Sequence, residues 1–149
     1  MGRVLGKALT EDLMRRLQTQ SDLVAIVASV GDEGPDTAPV SLFCVASPSR
    51  LVFALAHDRQ TLANIAAGSR LAVSVTVDPD VAVTILGRAA LMDRRMIASD
   101  HVVAVEMTIE SVKDDRHPAA EITERVRYRW SDPERAALDA ALLSELRSL

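Results

Sequence analysis

Six apolar runs, each cut off by a turn signal, constrain this chain more than any other feature. Leu23 to Val30 stops at Gly31-Asp32-Glu33-Gly34-Pro35. Thr37 to Ala46 stops at Ser47-Pro48-Ser49-Arg50, and Leu51 to Ala56 follows. After an interruption come Arg70 to Val77, closed by Asp78-Pro79-Asp80, then Val81 to Met92, then His101 to Val112. β-branched residues crowd these runs and Gly, Pro, Asp and Ser crowd the gaps, which is the pattern of strands joined by tight turns. The first three runs read as an antiparallel meander. Gly87 lies inside the fifth, where a strand glycine marks a bulge or a close approach of backbone. In the sixth, Val103, Val105, Met107 and Ile109 share one face.

Helices flank the strands. Thr10 caps a helix that runs to about Gln20, with Glu11 and Asp12 in its first turn and Leu9, Leu13, Met14 and Leu17 at helical spacing. Arg59 to Ala67 is a second, short helix that stops at Gly68. Ser131-Asp132-Pro133-Glu134 reads as a capping box for a third, whose apolar face is Leu138, Ala141, Leu142, Leu146 and Leu149. Before it, Arg125, Arg127 and Arg129 alternate with Val126, Tyr128 and Trp130, a period of two that favours an extended segment. The chain is therefore mainly β with flanking helices. Six antiparallel strands would leave long aliphatic edges exposed, and closure into a split β-barrel removes them. Residues 1–149 form one domain, with the extended segment and last helix beginning near residue 120.

Composition narrows the function classes. At 149 residues the chain can bury one real core, and with 48% hydrophobic but 3% aromatic residues that core is aliphatic. A net charge of −4 argues against a general nucleic-acid or membrane-surface binder. Cys44 is the single cysteine, so no intrachain disulfide forms, and its apolar setting reads as a buried inert thiol. His57, His101 and His117 lack metal-ligand spacing, so no metal site is expected. There is no signal-peptide layout and no apolar run long enough to span a bilayer, which makes the cytoplasm the default compartment.

Chemistry concentrates between His57 and Arg70. A strand runs into a helix there, and Arg59, Gln60 and Thr61 bring a guanidinium and a hydroxyl to its start. That combination suits a phosphate; an ordinary cap with a solvated arginine is the plainer alternative. Trp130 and Tyr128 either dock the extended segment or flank a planar ligand. Asp78 and Asp80 read as turn chemistry, and Asp114 and Asp115 as a solvated strand end. No hydrolase elbow, dinucleotide fingerprint or P-loop occurs.

The ordered set resembles the pyridoxamine 5′-phosphate oxidase-like FMN-binding split barrels. Leu23–Gly34 is similar to that family's opening strand and turn, Thr37-Ala38-Pro39-Val40-Ser41 to its second strand, and Leu51–Leu55 to its third. Arg59-Gln60-Thr61-Leu62-Ala63-Asn64-Ile65 followed by Arg70–Ser74 is similar to its phosphate loop, helix and fourth strand, and Gly87-Arg88-Ala89 to its fifth-strand motif. Arg116–Ala120, Ile122-Thr123 and Arg127-Tyr128 resemble the tail of one branch of it. The resemblance implies a homodimer with FMN between subunits. It implies that Val40, Ser41 and Leu42 line the flavin and that Arg59, Gln60 and Thr61 lie at its phosphate end. Asn64, on the same helix, is taken with them as a cofactor-binding candidate, and Trp130 or Tyr128, whose apolar face needs a cover, is expected to approach the flavin cleft of the partner subunit. The founding oxidases carry more Arg and Lys in this loop, where Gln60 and Thr61 stand here. The implied activity is that of a flavin-dependent oxidoreductase, using FMN or a deazaflavin, with no substrate specified. A non-enzymatic electron carrier, or a barrel that has lost its cofactor, is the alternative.

Overall fold

The computed structural model describes residues 2–149. Eight strands and three helices follow one another as β1 (Arg3–Gly6), α1 (Glu11–Gln18), β2 (Ala25–Gly31), β3 (Gly34–Val40), β4 (Phe43–Ser47), β5 (Arg50–Ala56), α2 (Gln60–Ala66), β6 (Arg70–Val77), β7 (Val81–Leu91), β8 (Val102–Asp114) and α3 (Pro133–Arg147). All pairings are antiparallel, in the order β3-β2-β6-β7-β8-β5-β4, with β1 paired to the far end of β8.

Two strands exceed the six expected from sequence. One is β1, too short and too exposed to carry an apolar signature. The other arises because the run from Thr37 to Ala46 is divided. It breaks at Ser41-Leu42, and its halves go to opposite ends of the strand order. The meander expectation is therefore corrected: β2–β3 and β4–β5 are true hairpins, but β3 and β4 do not pair with each other. The crossing is held by Phe43 N–H donating to the Ser41 carbonyl at 3.0 Å and Ala54 N–H donating to the Leu42 carbonyl at 2.9 Å. A two-residue link between terminal strands requires the sheet to curl until its ends approach, which makes a split barrel.

Alternation fills the barrel. Leu71, Val73, Val75 and Val77 of β6 point inward with Val81, Val83 and Ile85 of β7 and Val105, Met107 and Ile109 of β8. The β8 phase then shifts, so that Val112 is the next inward residue. Glu110 is the cause: Leu86 pairs Ser111 while Gly87 pairs Ile109, leaving Glu110 as the extra residue of a bulge. Gly87 is the close approach expected of it, since a Cβ there would run into the Thr108 carbonyl oxygen.

The helices finish the core. Thr10 accepts from the Leu13 N–H at 3.2 Å, and Leu13 and Leu17 join the barrel interior. Leu62 and Ile65 of α2 do the same. β5 is buried on both faces, which explains its unbroken run Leu-Val-Phe-Ala-Leu. Leu51, Phe53 and Leu55 face the barrel; Val52 and Ala54 face Leu142 and Leu146 of α3 on the outside. The cap of α3 is Asp132, which accepts from the Glu134 N–H at 2.9 Å with Pro133 next, so the box expected from Ser131 moves one residue along. Ala141 is exposed rather than on the buried face.

The extended segment before α3 forms no ladder. Its facing also differs from a simple alternation. The side chain of Arg125 is 7% exposed and turned inward, while Val126 is 63% exposed. Arg125 donates to Asp78 at 2.6 Å and to Asp22 at 2.7 Å, pinning the segment between the β6–β7 turn and the loop from α1 to β2. Two carboxylates outbid the apolar face for the inward position, because a guanidinium with five donors needs more than one partner when buried. Among the described residues, no helix is long and apolar enough to cross a membrane.

Candidate functional site

The crossing at Ser41-Leu42 opens a cleft of about 510 Å³ on the outside of the barrel. Pro39 and Val40 bring the end of β3 to it, Ser41 and Leu42 form its back, and Ala54, Leu55 and Ala56 bring the end of β5. Arg59, just before α2, and the turn from Ser99 to Val102 close one end. The C-terminal elements lie across it, through Trp130 and through Arg135, Leu138, Asp139 and Leu142 of α3. Most of this surface is aliphatic, with a few polar groups converging on one end, which is how small-molecule sites are usually built.

The charged groups in the cleft differ in one respect. Asp139 is engaged, accepting from the Tyr128 hydroxyl at 3.1 Å. Burial pushes the Tyr128 phenol up, the Asp139 carboxylate adds to that, and Ser41 pulls against it. Arg59 and Arg135 take no part in any ion pair or side-chain hydrogen bond among the described residues, whereas Arg16, Arg50, Arg70, Arg88 and Arg125 all hold carboxylates. Two unpaired guanidiniums thus line one apolar cleft. His101 is beside them, its ring stacked on that of His57 with centroids 6.1 Å apart, and the His57 Nδ1 lies 3.0 Å from the His101 carbonyl oxygen.

Of the residues expected at a ligand, Val40, Ser41, Leu42, Arg59 and Trp130 share this cleft. Gln60, Thr61 and Asn64 do not line it. Asn64 is 2% exposed and donates to Ser29 Oγ at 2.9 Å, while Gln60 donates to the Asn64 Oδ1 at 3.0 Å. Thr61 is fully buried, and its hydroxyl donates to Asp36 at 3.4 Å. These side chains knit α2 to β2 and β3. No side chain caps α2, and with seven residues its dipole is short, so the Arg59 guanidinium is the anion-binding group this region offers. Sequence reasoning missed Ser99, His101, Arg135 and Asp139. Arg135 alone carried a signal, as a cation in the first turn of α3, where a cation opposes the helix dipole.

Cys44 is no rival centre. Burial pushes its thiol up, against weaker pulls from Arg147 and Arg50, and a nucleophilic cysteine is kept the opposite way. No cluster of metal-ligating side chains occurs among the described residues.

Solved structures match this barrel. A protein of Lactobacillus delbrueckii provisionally named a pyridoxamine 5′-phosphate oxidase matches with a TM-score of 0.61 and 23% identity, over 75% of this chain and 98% of its own. The chain has the split-barrel fold of the pyridoxamine 5′-phosphate oxidase-like proteins. Other split barrels match at lower identity. The flavocytochrome Anf3 of Azotobacter vinelandii gives a TM-score of 0.59 and 13% identity, over 89% of this chain and 84% of its own. An FAD-binding protein of Mesorhizobium loti gives 0.53 and 17%, over 74% of this chain and 96% of its own. No family model matches the sequence, and no curated protein matches it.

Proposed function

We propose that the cleft binds FMN and that the protein is a flavin-dependent oxidoreductase working as a homodimer. The observation that carries this reading is the unpaired Arg59 at the polar end of an aliphatic cleft built on the edge crossing of a split barrel. The residues present fit the cofactor. Leu42, Ala54 and Leu138 offer an apolar wall for a planar ring, Trp130 an aromatic edge, and Arg59 a charge-assisted partner for a phosphate. A cleft of this volume suits one ligand of mononucleotide size better than a dinucleotide. The flavocytochrome and the FAD-binding protein among the structural relatives agree with a flavin by name.

When bound, the flavin supplies hydride or single-electron transfer. The chain's own residues orient it: Ser41 and Leu42 through the crossing, Arg59 through charge, and α3 by excluding water. Pairing of two copies is supported by the outer face of β2, where Ile26 and Val30 are exposed beside Ala28. The deciding experiment is the absorbance spectrum of the purified protein. Bands of oxidised flavin, with FMN released on denaturation, uphold the reading; a colourless protein that takes up no added FMN ends it. A coloured protein inert toward reduced nicotinamide and reduced deazaflavin would be a carrier. Sedimentation at micromolar concentration should give a dimer.

A further inference from the structure

We infer that Arg135, on the C-terminal helix, joins Arg59 in a cradle for a single phosphate monoester, so that α3 is part of the binding site and not merely its cover. The inference rests on the flavin reading for the ligand's identity, though not for its charge.

The path of α3 brings the two residues together. At one end, the Arg50 guanidinium at the start of β5 donates to the Leu149 carbonyl at 3.2 Å. Midway, Leu142 packs on the outward Val52 and Ala54 of β5. The helix therefore runs antiparallel to β5 along its outer face. From Leu149 back to Arg135 it covers roughly 21 Å at the helical rise. From Arg50 to Ala56 the strand covers about 20 Å. Arg135 thus arrives level with the end of β5, just where the chain turns toward Arg59, and both side chains line the same cleft.

Neither guanidinium forms an ion pair among the described residues. Asp139, one turn along α3 from Arg135, is the acid in the cleft lining and is turned to the Tyr128 hydroxyl rather than to either arginine, while the chain neighbours Asp58 and Glu134 do not line it. Eight of the fifteen arginines hold a carboxylate among the described residues; of the other seven, Arg59 and Arg135 are the two that share this largely apolar space, which marks it as the place of an external anion. The guanidinium geometry favours bidentate contact with phosphate oxygens. The Ser99 hydroxyl at the same end adds a neutral donor.

The test compares FMN with riboflavin, which has the same ring and no phosphate. Flavin fluorescence titrations would be run on the wild type, Arg59→Gln, Arg135→Gln and Arg135→Lys, each checked for folding by circular dichroism. Arg59→Gln and Arg135→Gln should each weaken FMN about tenfold and leave riboflavin unchanged, and Arg135→Lys should partly rescue the loss. Equal losses for FMN and riboflavin would mean that Arg135 only holds α3 in place, and an unchanged FMN affinity would mean it holds nothing; either overturns the inference. If the wild type binds neither flavin, the flavin reading fails separately. The cradle is then read from the arginine Nε–Hε resonances during titration with inorganic phosphate. It stands if Arg59 and Arg135 shift along one saturation curve and falls if they do not.

Discussion

The Tyr128 hydroxyl donates to the Asp139 carboxylate at 3.1 Å, and this bond ties the unpaired segment after the barrel to the helix over the cleft. Tyr128 also meets Trp130 edge to face, with ring centroids 6.1 Å apart and planes at 81°. The indole is thereby set at the mouth of the cleft of its own chain, although it remains 45% exposed.

That placement predicts quenching. Trp130 is the only tryptophan, so its emission is unambiguous. Titrating the apo-protein with FMN, with inner-filter correction, should lower that emission in step with flavin binding. Emission that stays constant while FMN demonstrably binds would assign Trp130 to docking alone.

Asn64 makes a different prediction, since its side chain is spent on the scaffold. Asn64→Leu strands the buried Ser29 hydroxyl and should cost about 1–3 kcal/mol in denaturant unfolding. Adding Ser29→Ala should recover part of the loss, because both partners of the bond are then gone. FMN affinity should hardly move; a large loss of affinity in a stable Asn64→Leu protein would give this residue a place at the ligand.

Gly87→Ala tests the bulge. The added methyl points at the Thr108 carbonyl, which belongs to a paired strand and cannot swing aside. Unfolding free energy should fall by about 1–3 kcal/mol. A melting temperature equal to wild type would show that β7 and β8 can part at this point.

Acid should release the C-terminal segment. The Arg125 hydrogen bonds hold the Asp22 and Asp78 carboxyls below their ordinary value of 3.8. A depressed folded-state pKa gives stability that is present above the unfolded value and lost as pH falls through the folded one. The melting-temperature gap between wild type and Arg125→Met should therefore hold from pH 7 down to about 4 and narrow only below that. A gap that closes between pH 7 and pH 5 would place the linkage in other groups.

Much of this architecture was legible in the residues because local signals and tertiary demands agree. The Gly31–Pro35 and Ser47–Arg50 turns, the Thr10 cap and the place of Gly87 all use chemistry that acts within a few residues. The crossing was not legible, because Val40-Ser41-Leu42-Phe43 carries a lone serine, with no Gly, Pro or Asp beside it, and is apolar on both sides of the break. What divides it is the closure of the whole sheet, which no window of sequence contains. Arg125 defeated the period-of-two reading for a related reason. Its partners Asp22 and Asp78 are remote in the chain, and neither announces that a cation will be buried. Arg59 could be found from its place at a strand-to-helix junction, whereas Arg135 showed only as a cation set against the dipole of its own helix until α3 was laid along β5.

Because β3 and β4 sit at opposite ends of the strand order, the ring they complete resembles a split washer, joined by two residues of chain where a ladder of hydrogen bonds would otherwise run. The cleft lies on that gap, with Val40 and Ser41 on one side and Ala54, Leu55 and Ala56 on the other. An occupant touching both sides acts as a gasket, and mass action makes its concentration a structural variable: each tenfold excess over the dissociation constant adds about 1.4 kcal/mol to the folded state. Amide hydrogen exchange should therefore be slowed by ligand first at the crossing and the ends of β3 and β5, before any change reaches β6 and β7 on the unbroken side of the ring.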